Sequence, residues 1–126
     1  MEKTIDQLRE ELEKRLQSIP CLSKFYIGET DEANLTKTTN RHENEGYSST
    51  IPIAKGEHSV VSKAEETLIK YFKENSKLKD KNGNNDTHSL GSKAANIVYV
   101  SIRITPRKDI ELDDDDMYWP EVYQLI

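Results

Sequence analysis

The segment Asn96–Thr105, which reads NIVYVSIRIT, is the feature that most constrains how this chain can fold. Every second position in it is a branched apolar residue: Val98, Val100, Ile102 and Ile104. The intervening positions form a mixed set: Ile97, Tyr99, Ser101 and Arg103. This alternation is typical of a β-strand that places one face in a hydrophobic core. Because one strand cannot bury that face alone, the chain must form a sheet covered by other elements.

Two amphipathic helices are the best candidates to cover the sheet. In the first, apolar residues recur at steps of three and four: Ile5, Leu8, Leu12, Leu16 and Ile19. Thr4 and Gln7 match a capping box and Pro20 stops the helix, so it is predicted within residues 1–20. The second is predicted from Ser59 to about Asn75, with apolar residues at Val60, Val61, Ala64, Leu68, Ile69 and Phe72.

Weaker signals complete the predicted order of elements. Strands are predicted over Lys24–Thr30 and Ser49–Ala54, and Pro52 puts the second at a sheet edge or a bulge because it lacks a backbone donor. Polar residues 31–44 predict a short, poor helix, and residues 77–93 predict a hydrophilic loop. We therefore predict one α+β domain over residues 1–108. Its small, mostly antiparallel sheet of three to four strands would be covered by the N-terminal and central helices.

The net charge of −5 is distributed unevenly along the 126 residues. Residues 1–54 carry −3, residues 55–108 carry +5 and residues 109–126 carry −7. The acidity therefore belongs to the C-terminal tail, and the body of the chain is weakly basic. Cations of that body could neutralise nucleic-acid phosphates: Lys77, Lys79, Lys81, Lys93, Arg103 and Arg107. A solvated flexible loop is the alternative explanation of the same residues.

The tail over residues 109–126 has three alternative interpretations. The run Asp113–Asp116 predicts disorder, or it could fold over the basic segment and compete with nucleic acid. Alternatively, the aromatic end docks on the domain or on a partner. We favour docking, because disordered tails rarely contain as many large apolar residues as Met117–Ile126.

Composition excludes several classes of protein. No apolar run approaches the roughly 20 residues needed to cross a bilayer, and the charged N-terminus lacks the apolar stretch of a signal peptide. Cys21 is the single cysteine, and no CxxC or HxxxH spacing occurs. We therefore expect a cytoplasmic chain with no membrane partner, no disulfide and no zinc site.

Three stretches of the sequence together match a family pattern. Tyr26-Ile27-Gly28 spells YIG on a predicted strand, and Arg41-His42 follows on a predicted helix. Glu65 lies three residues before Leu68-Ile69 on the central helix SKAEETLIKYF. Over residues 24–75 the chain thus resembles the GIY-YIG nuclease superfamily. The GIY strand that normally precedes YIG has no counterpart, and the family's later asparagine has four candidates: Asn75, Asn82, Asn84 and Asn85.

The resemblance implies metal-dependent hydrolysis of nucleic-acid phosphodiesters. It assigns Glu65 to a Mg²⁺ ion, Tyr26 to the attacking water and Arg41 to the phosphate charge, with His42 as a proton donor. Tyr99 could replace the missing first tyrosine if the sheet brings its strand beside Tyr26. Each residue also has a purely structural interpretation. Tyr26 would be a core tyrosine, and Arg41 and His42 would be a pair on the surface. Glu65 would be paired with a base or would lie at the edge of the apolar stripe.

The alternative function is a non-enzymatic interaction protein. It would form homo-oligomers through the N-terminal helix or the aromatic C-terminal segment, and bind a protein or an anionic ligand through the basic segment. The two functions differ in geometry: an enzyme needs Glu65, Tyr26 and Arg41 in one open pocket, whereas a binding protein leaves them apart.

Overall fold

The computed structural model describes residues 1–84, 94–105 and 117–126, which form one sheet with helices on both faces. The strands are β1 (Glu2–Lys3), β2 (Leu22–Thr30), β3 (Ser49–Lys55), β4 (Ile97–Ile104) and β5 (Tyr123–Leu125). The helices are α1 (Ile5–Gln17), α2 (Leu35–Asn44) and α3 (His58–Glu74), followed by a 3₁₀ turn at Lys79–Lys81.

The sheet has the order β1-β5-β3-β4-β2 and mixes both kinds of pairing. Strand β4 runs antiparallel to β2 and β3, whereas β5 pairs parallel with β3 and β1. The predicted α+β class is confirmed, but the prediction of three to four mostly antiparallel strands missed β1 and β5. These strands have only two and three residues, which is too short for alternation to mark them.

Strand β3 lies inside the sheet, so its predicted edge position was wrong and the bulge was the correct alternative. The register with β4 shifts between Pro52 and Ala54. Pairing with β5 starts only at Ala54. Pro52 therefore lies where the β3–β4 pairing is interrupted and before the β3–β5 pairing begins. A residue without a backbone donor is tolerated at such a position.

Helices α1 and α3 pack on the sheet face that carries Phe25 and Ile27. Their apolar stripes are fully buried there: Leu8, Leu12, Leu16, Val61, Ala64, Leu68 and Phe72. The predicted capping box of α1 is confirmed, with Thr4 accepting from the Gln7 backbone and the Gln7 side chain accepting from the Thr4 backbone. The α1 stripe thus belongs to the core of its own domain, which leaves only the polar face of α1 for contact with another copy.

Helix α2 covers the opposite face of the sheet. Successive strand residues point to opposite faces, so Tyr26, Gly28 and Thr30 face away from Phe25 and Ile27. The hydroxyl of Thr30 lies 3.0 Å from that of Thr38 on α2. The sheet is therefore sandwiched between α1 and α3 on one side and α2 on the other.

The C-terminal residues 117–126 dock on the domain, as the third interpretation of the tail proposed. The Trp119 indole N–H donates to the carbonyl of Ile53 (3.1 Å), and Arg15 donates to the carbonyl of Tyr118 (2.7 Å). Tyr123 and Leu125 enter the core through β5. The predicted domain boundary after residue 108 and the aspartate run lie outside the described residues.

Glu11 ties the tail to α1. Its carboxylate accepts from the Tyr123 hydroxyl (2.8 Å) and from Arg15 (3.1 Å), and lies 3.2 Å from the Lys3 ammonium. Burial raises the pKa of Glu11, but the hydrogen bonds from Tyr123, Lys3 and Arg15 outweigh burial and lower it. A carboxyl with a lowered pKa stabilises the fold above its ordinary range, near pH 4.5, and this contribution disappears as pH falls through the lowered value.

Glu11→Gln is expected to reduce the free energy of unfolding at pH 7 by about 1–3 kcal/mol, because charge-assisted hydrogen bonds are lost in a partly buried site. The difference from the wild type should shrink below about pH 4 as the wild-type carboxyl protonates. Urea unfolding at several pH values measures this, and Glu10→Gln, at an exposed position of the same helix, is the matched control. Equal losses in both variants would contradict the role given to Glu11.

No helix among the described residues is long and apolar enough to cross a membrane.

Candidate functional site

An aromatic cluster on the α2 face of the sheet contains two of the predicted catalytic residues. The Tyr26 ring stacks on Tyr99 with centroids 6.3 Å apart and lies 4.7 Å from the His42 ring. Tyr47 packs edge-on against both Tyr26 (6.3 Å) and His42 (5.5 Å). His42 and Tyr99 are each 1% exposed, whereas Tyr26 is half-buried. Together, Tyr26, His42, Tyr47 and Tyr99 form what we call the tyrosine–histidine cluster.

Gly28 is the residue that lets the cluster form. It pairs with Tyr99 across the β2–β4 ladder, and the Tyr99 ring lies over the glycine. A Cβ at Gly28 would overlap the Tyr99 hydroxyl and ring. The glycine of the YIG motif therefore makes room for a tyrosine from the neighbouring strand.

The centre of the cluster is a hydrogen bond between His42 and Tyr99. The Tyr99 hydroxyl lies 2.8 Å from Nε2 of His42, and Nη2 of Arg41 lies 3.3 Å from the same nitrogen. Because arginine can only donate, Nε2 is the acceptor and the imidazole hydrogen is on Nδ1. The carboxylate of Glu45 lies 3.4 Å from Nδ1. Among the described residues, Nδ1 makes no hydrogen bond of acceptable geometry, so Glu45 acts on the imidazole mainly through its charge.

Burial sets the protonation states of this pair. Burial lowers the pKa of His42, the charge of Arg41 lowers it further, and Glu45 opposes them. Burial also raises the pKa of Tyr99 well above its ordinary value, reinforced by Tyr26. At neutral pH the imidazole is therefore neutral and the phenol is protonated, so Nε2 of His42 keeps a lone pair for the Tyr99 hydroxyl, while the same burial and the Arg41 charge oppose protonation of the ring.

Arg41 is the exposed cation at the cluster. Its side chain is 59% exposed and its Nε lies 3.9 Å from Glu45. An exposed ion pair of this length is weak. The guanidinium is therefore available to a phosphate oxygen while remaining hydrogen-bonded to His42.

Glu65 is buried in α3, on the other helix layer. It is 5% exposed, and its carboxylate accepts a hydrogen bond from the backbone of Glu29 at the edge of the sheet. Burial and the nearby Glu29 carboxylate raise the pKa of Glu65 to about 8, although the backbone hydrogen bond opposes them. The Ser62 hydroxyl donates to Glu29 at 2.9 Å. Two carboxyl groups thus lie close together beside the YIG strand.

The structure brings Tyr26, Arg41 and His42 together, but not with Glu65, so these residues do not form the single open pocket that the enzyme interpretation requires. Helix α3 approaches the sheet from the face opposite to the tyrosine–histidine cluster. The two parts nevertheless interact electrostatically, since the Glu65 charge contributes to the raised pKa of Tyr99. The YIG strand lies between Glu65 and the tyrosine–histidine cluster. Because Gly28 has no side chain, it adds little to the distance between the two.

Sequence reasoning missed Glu29 and Tyr47 and proposed Tyr99 only as a replacement. Alternation along β2 could have found Glu29, because it places this carboxylate on the same face as the core residues Phe25 and Ile27. The strand of Tyr99 does lie beside Tyr26, which was the stated condition for that replacement. Of the candidate asparagines, Asn84 binds both backbone groups of Ile27, at 3.0 and 2.7 Å.

The predicted phosphate-binding residues are partly described. Lys77, Lys79, Lys81 and Arg103 are exposed. Lys93 and Arg107 lie outside the described residues. In the described part of the chain, no group of three or more His, Cys, Asp or Glu side chains could hold a metal ion.

Comparisons with protein-family models, curated proteins and solved structures found no match to this chain.

Gly28→Ala is expected to lower the free energy of unfolding by about 2–4 kcal/mol, because it overpacks the Tyr99 site and breaks a buried hydrogen bond. Thermal and urea unfolding measure the loss. Gly56→Ala is the matched control, since a Cβ there meets Leu125 at 3.4 Å, an ordinary contact. If displacement of the Tyr99 ring exposes His42 to water, the pKa of His42 should also rise toward 6.5 in an NMR titration, because burial is the first cause of its lowering. Unchanged stability and an unchanged His42 titration would contradict this account.

Proposed function

We propose that this chain is a phosphodiesterase acting on nucleic acid with a rearranged GIY-YIG-like site, in which the carboxylates that would hold a metal lie on the sheet face opposite to Tyr26 and Arg41. The observation that carries the proposal is the hydrogen bond between Tyr99 and the neutral His42, next to Tyr26 and the exposed Arg41. A resemblance on the YIG residues required a second tyrosine beside Tyr26. Tyr99 supplies one from the neighbouring strand.

The chemistry assigned to these residues is the activation of water for attack on a phosphodiester. The neutral His42 accepts a proton through the Tyr99 hydroxyl, which takes one from water as it passes its own to Nε2. Glu45 stabilises the imidazolium that results, and Arg41 stabilises the charge that develops on the phosphate oxygens. Tyr26 positions the water.

Glu65 and Glu29 fit a hard divalent cation such as Mg²⁺ by the chemistry of their donors. Both offer carboxylate oxygens, and their mutual repulsion at close range is what a cation would relieve. A Mg²⁺ ion held there would supply positive charge on the α3 side of the YIG strand, and the sheet would separate it from a phosphate bound by Arg41. Because Glu65 holds its proton up to about pH 8, the affinity for the cation should rise with pH until that point.

The test is cleavage of labelled single- and double-stranded DNA and RNA with Mg²⁺ or Mn²⁺. Glu65→Gln, Tyr99→Phe and His42→Gln are each expected to slow cleavage by about 10²–10⁴-fold. Glu66→Gln is the matched control, because Glu66 is exposed on the same helix. Cleavage that persists in Glu65→Gln would remove the role of Glu65, and cleavage that persists in all three variants would overturn the site.

A non-enzymatic binding protein is the second candidate, and two observations favour it: the burial of the cluster and the separation of Glu65 from Tyr26 and Arg41. His42 and Tyr99 are each 1% exposed, so a substrate would have to enter beside Tyr26. In such a protein the tyrosine–histidine cluster packs α2 on the sheet, while Arg41 and the basic residues bind an anionic ligand. Oligonucleotide binding without cleavage of any substrate in either metal would decide for this candidate.

A further inference from the structure

One end of the sheet carries a row of exposed cations that the spacing along the sequence does not reveal. Lys24 on β2 pairs with Arg103 on β4. Phe25 forms a parallel bridge with Asn82, which places the preceding residue, Lys81, level with Lys24. Lys24, Lys81 and Arg103 are all exposed. We call these three residues the cation row.

The cation row lies directly beside the tyrosine–histidine cluster. Lys24 and Arg103 share the α2 face of the sheet with Tyr26, which lies two residues from Lys24 on the same strand. Arg41 contacts the His42 member of that cluster. Acids on these segments include Glu43 and Glu45, which lie near Arg41 in the chain, and Asp80, which is flanked by Lys79 and Lys81; Glu45 contacts Arg41. Positive charge therefore dominates a path from the end of the sheet to Arg41.

The Tyr26 ring beside the row favours one nucleic-acid strand over a duplex. Neighbouring strands of a sheet lie about 4.8 Å apart, so three level positions span roughly 10 Å. That span is longer than the roughly 6 Å width of a DNA minor groove and shorter than the roughly 12 Å width of the major groove, so the length of the row alone does not distinguish a single strand from a duplex. The half-buried Tyr26 ring adds the stacking surface that single-strand binders use.

We propose that the cation row holds the backbone of single-stranded nucleic acid and leads it past Tyr26 to Arg41. This inference deepens the proposed function and rests on it for the identity of the substrate. Phosphates contact Lys81, Lys24 and Arg103, and a base stacks on Tyr26. Lys24, which sequence reasoning did not select, has a central place in the row.

The test measures binding by fluorescence anisotropy, in EDTA so that no cleavage occurs. The probe is an oligothymidine of about 12 nucleotides, within the range that single-strand binders cover, and its matched duplex is the competitor. The triple variant Lys24→Ala/Lys81→Ala/Arg103→Ala is expected to bind at least tenfold more weakly at low salt. The slope of log affinity against log salt should fall by about 2, corresponding to three lost phosphate contacts.

The matched control is Lys14→Ala/Lys63→Ala/Lys70→Ala, which removes three exposed cations from α1 and α3 on the opposite layer. The control should bind like the wild type. Equal losses in both triple variants, no wild-type binding, or a preference for the duplex would overturn the proposal. Cleavage is measured separately. Binding that depends on the cation row, without cleavage, would overturn the phosphodiesterase proposal alone. Cleavage with an unchanged KM in the row variant would overturn the cation-row proposal alone.

Discussion

A chain truncated after residue 116 is expected to be unfolded at 25 °C, although it loses only a short C-terminal segment. Strand β5 lies between β1 and β3, so its removal detaches β1 and leaves one side of β3 unpaired. Tyr123 and Leu125 are each 4% exposed, and Trp119 packs against the same core. Each large core side chain contributes about 2–5 kcal/mol, and small domains are stable by only about 5–15 kcal/mol in total.

Circular dichroism and urea unfolding of the truncated chain measure this loss. The double variant Tyr123→Ala/Leu125→Ala should reproduce most of it, at about 4–8 kcal/mol. Gln124→Ala is the control, because Gln124 is exposed between the two core residues of the same strand. A folded truncated chain with wild-type stability would show that residues 117–126 contribute nothing to the core.

This result also decides how the acidic tail is to be studied. Deleting residues 109–126 to ask whether the tail competes for the basic segment would remove a strand of the sheet as well. Replacing Asp113–Asp116 by asparagines changes the charge and leaves β5 intact. If the aspartate run competes with nucleic acid for the basic segment, that variant should bind an oligonucleotide more tightly at low salt.

The elements that the sequence predicted well are those long enough to show a period. Helix α1 was predictable from the four apolar residues of its stripe and from its capping box, and β4 from its eight alternating residues. Strands β1 and β5 have too few residues to show a period, and their parallel pairing joins the two ends of the chain. Such long-range pairing depends on how the whole core packs, which local sequence does not specify.

Prediction of the candidate site from the sequence was likewise limited by contacts between distant parts of the chain. That Glu65 is buried follows from its place on the stripe with Val61 and Ile69. The face of the sheet on which α3 packs does not follow from that stripe, and it separates Glu65 from Tyr26 and Arg41. The Tyr99–His42 hydrogen bond joins residues 57 positions apart and needs the β2–β4 register to form.

The wild-type chain is expected to lose stability as pH rises from about 5 to 8, and Glu65→Gln is expected to remove that loss. The pKa of Glu65 is raised from 4.5 to about 8, by burial first and by the Glu29 charge second. A group with a raised pKa stabilises the fold fully below its unfolded value, and this contribution is lost as pH rises through the folded value. Above pH 8 the folded state must hold an ionised carboxylate beside a second one.

The expected size of the effect is about 3–5 kcal/mol, because one pKa unit corresponds to about 1.4 kcal/mol. Glutamine keeps an oxygen that can accept the Glu29 backbone hydrogen bond, but it carries no charge. The variant should therefore match the wild type near pH 4.5 and exceed it in stability at pH 9. Urea unfolding across this range measures the difference, with Glu66→Gln as the exposed control.

Adding Mg²⁺ at pH 9 distinguishes two roles for the buried Glu65, that of a metal ligand and that of a structural acid. If Glu65 and Glu29 hold the cation, saturating Mg²⁺ stabilises the wild type by about 2–3 kcal/mol at 100 times the dissociation constant, and has no such effect on Glu65→Gln. If Glu65 is only a buried acid at the sheet edge, Mg²⁺ leaves both proteins unchanged while the pH dependence persists. The second outcome would remove the metal from the proposed site and leave the binding protein as the better account of this chain.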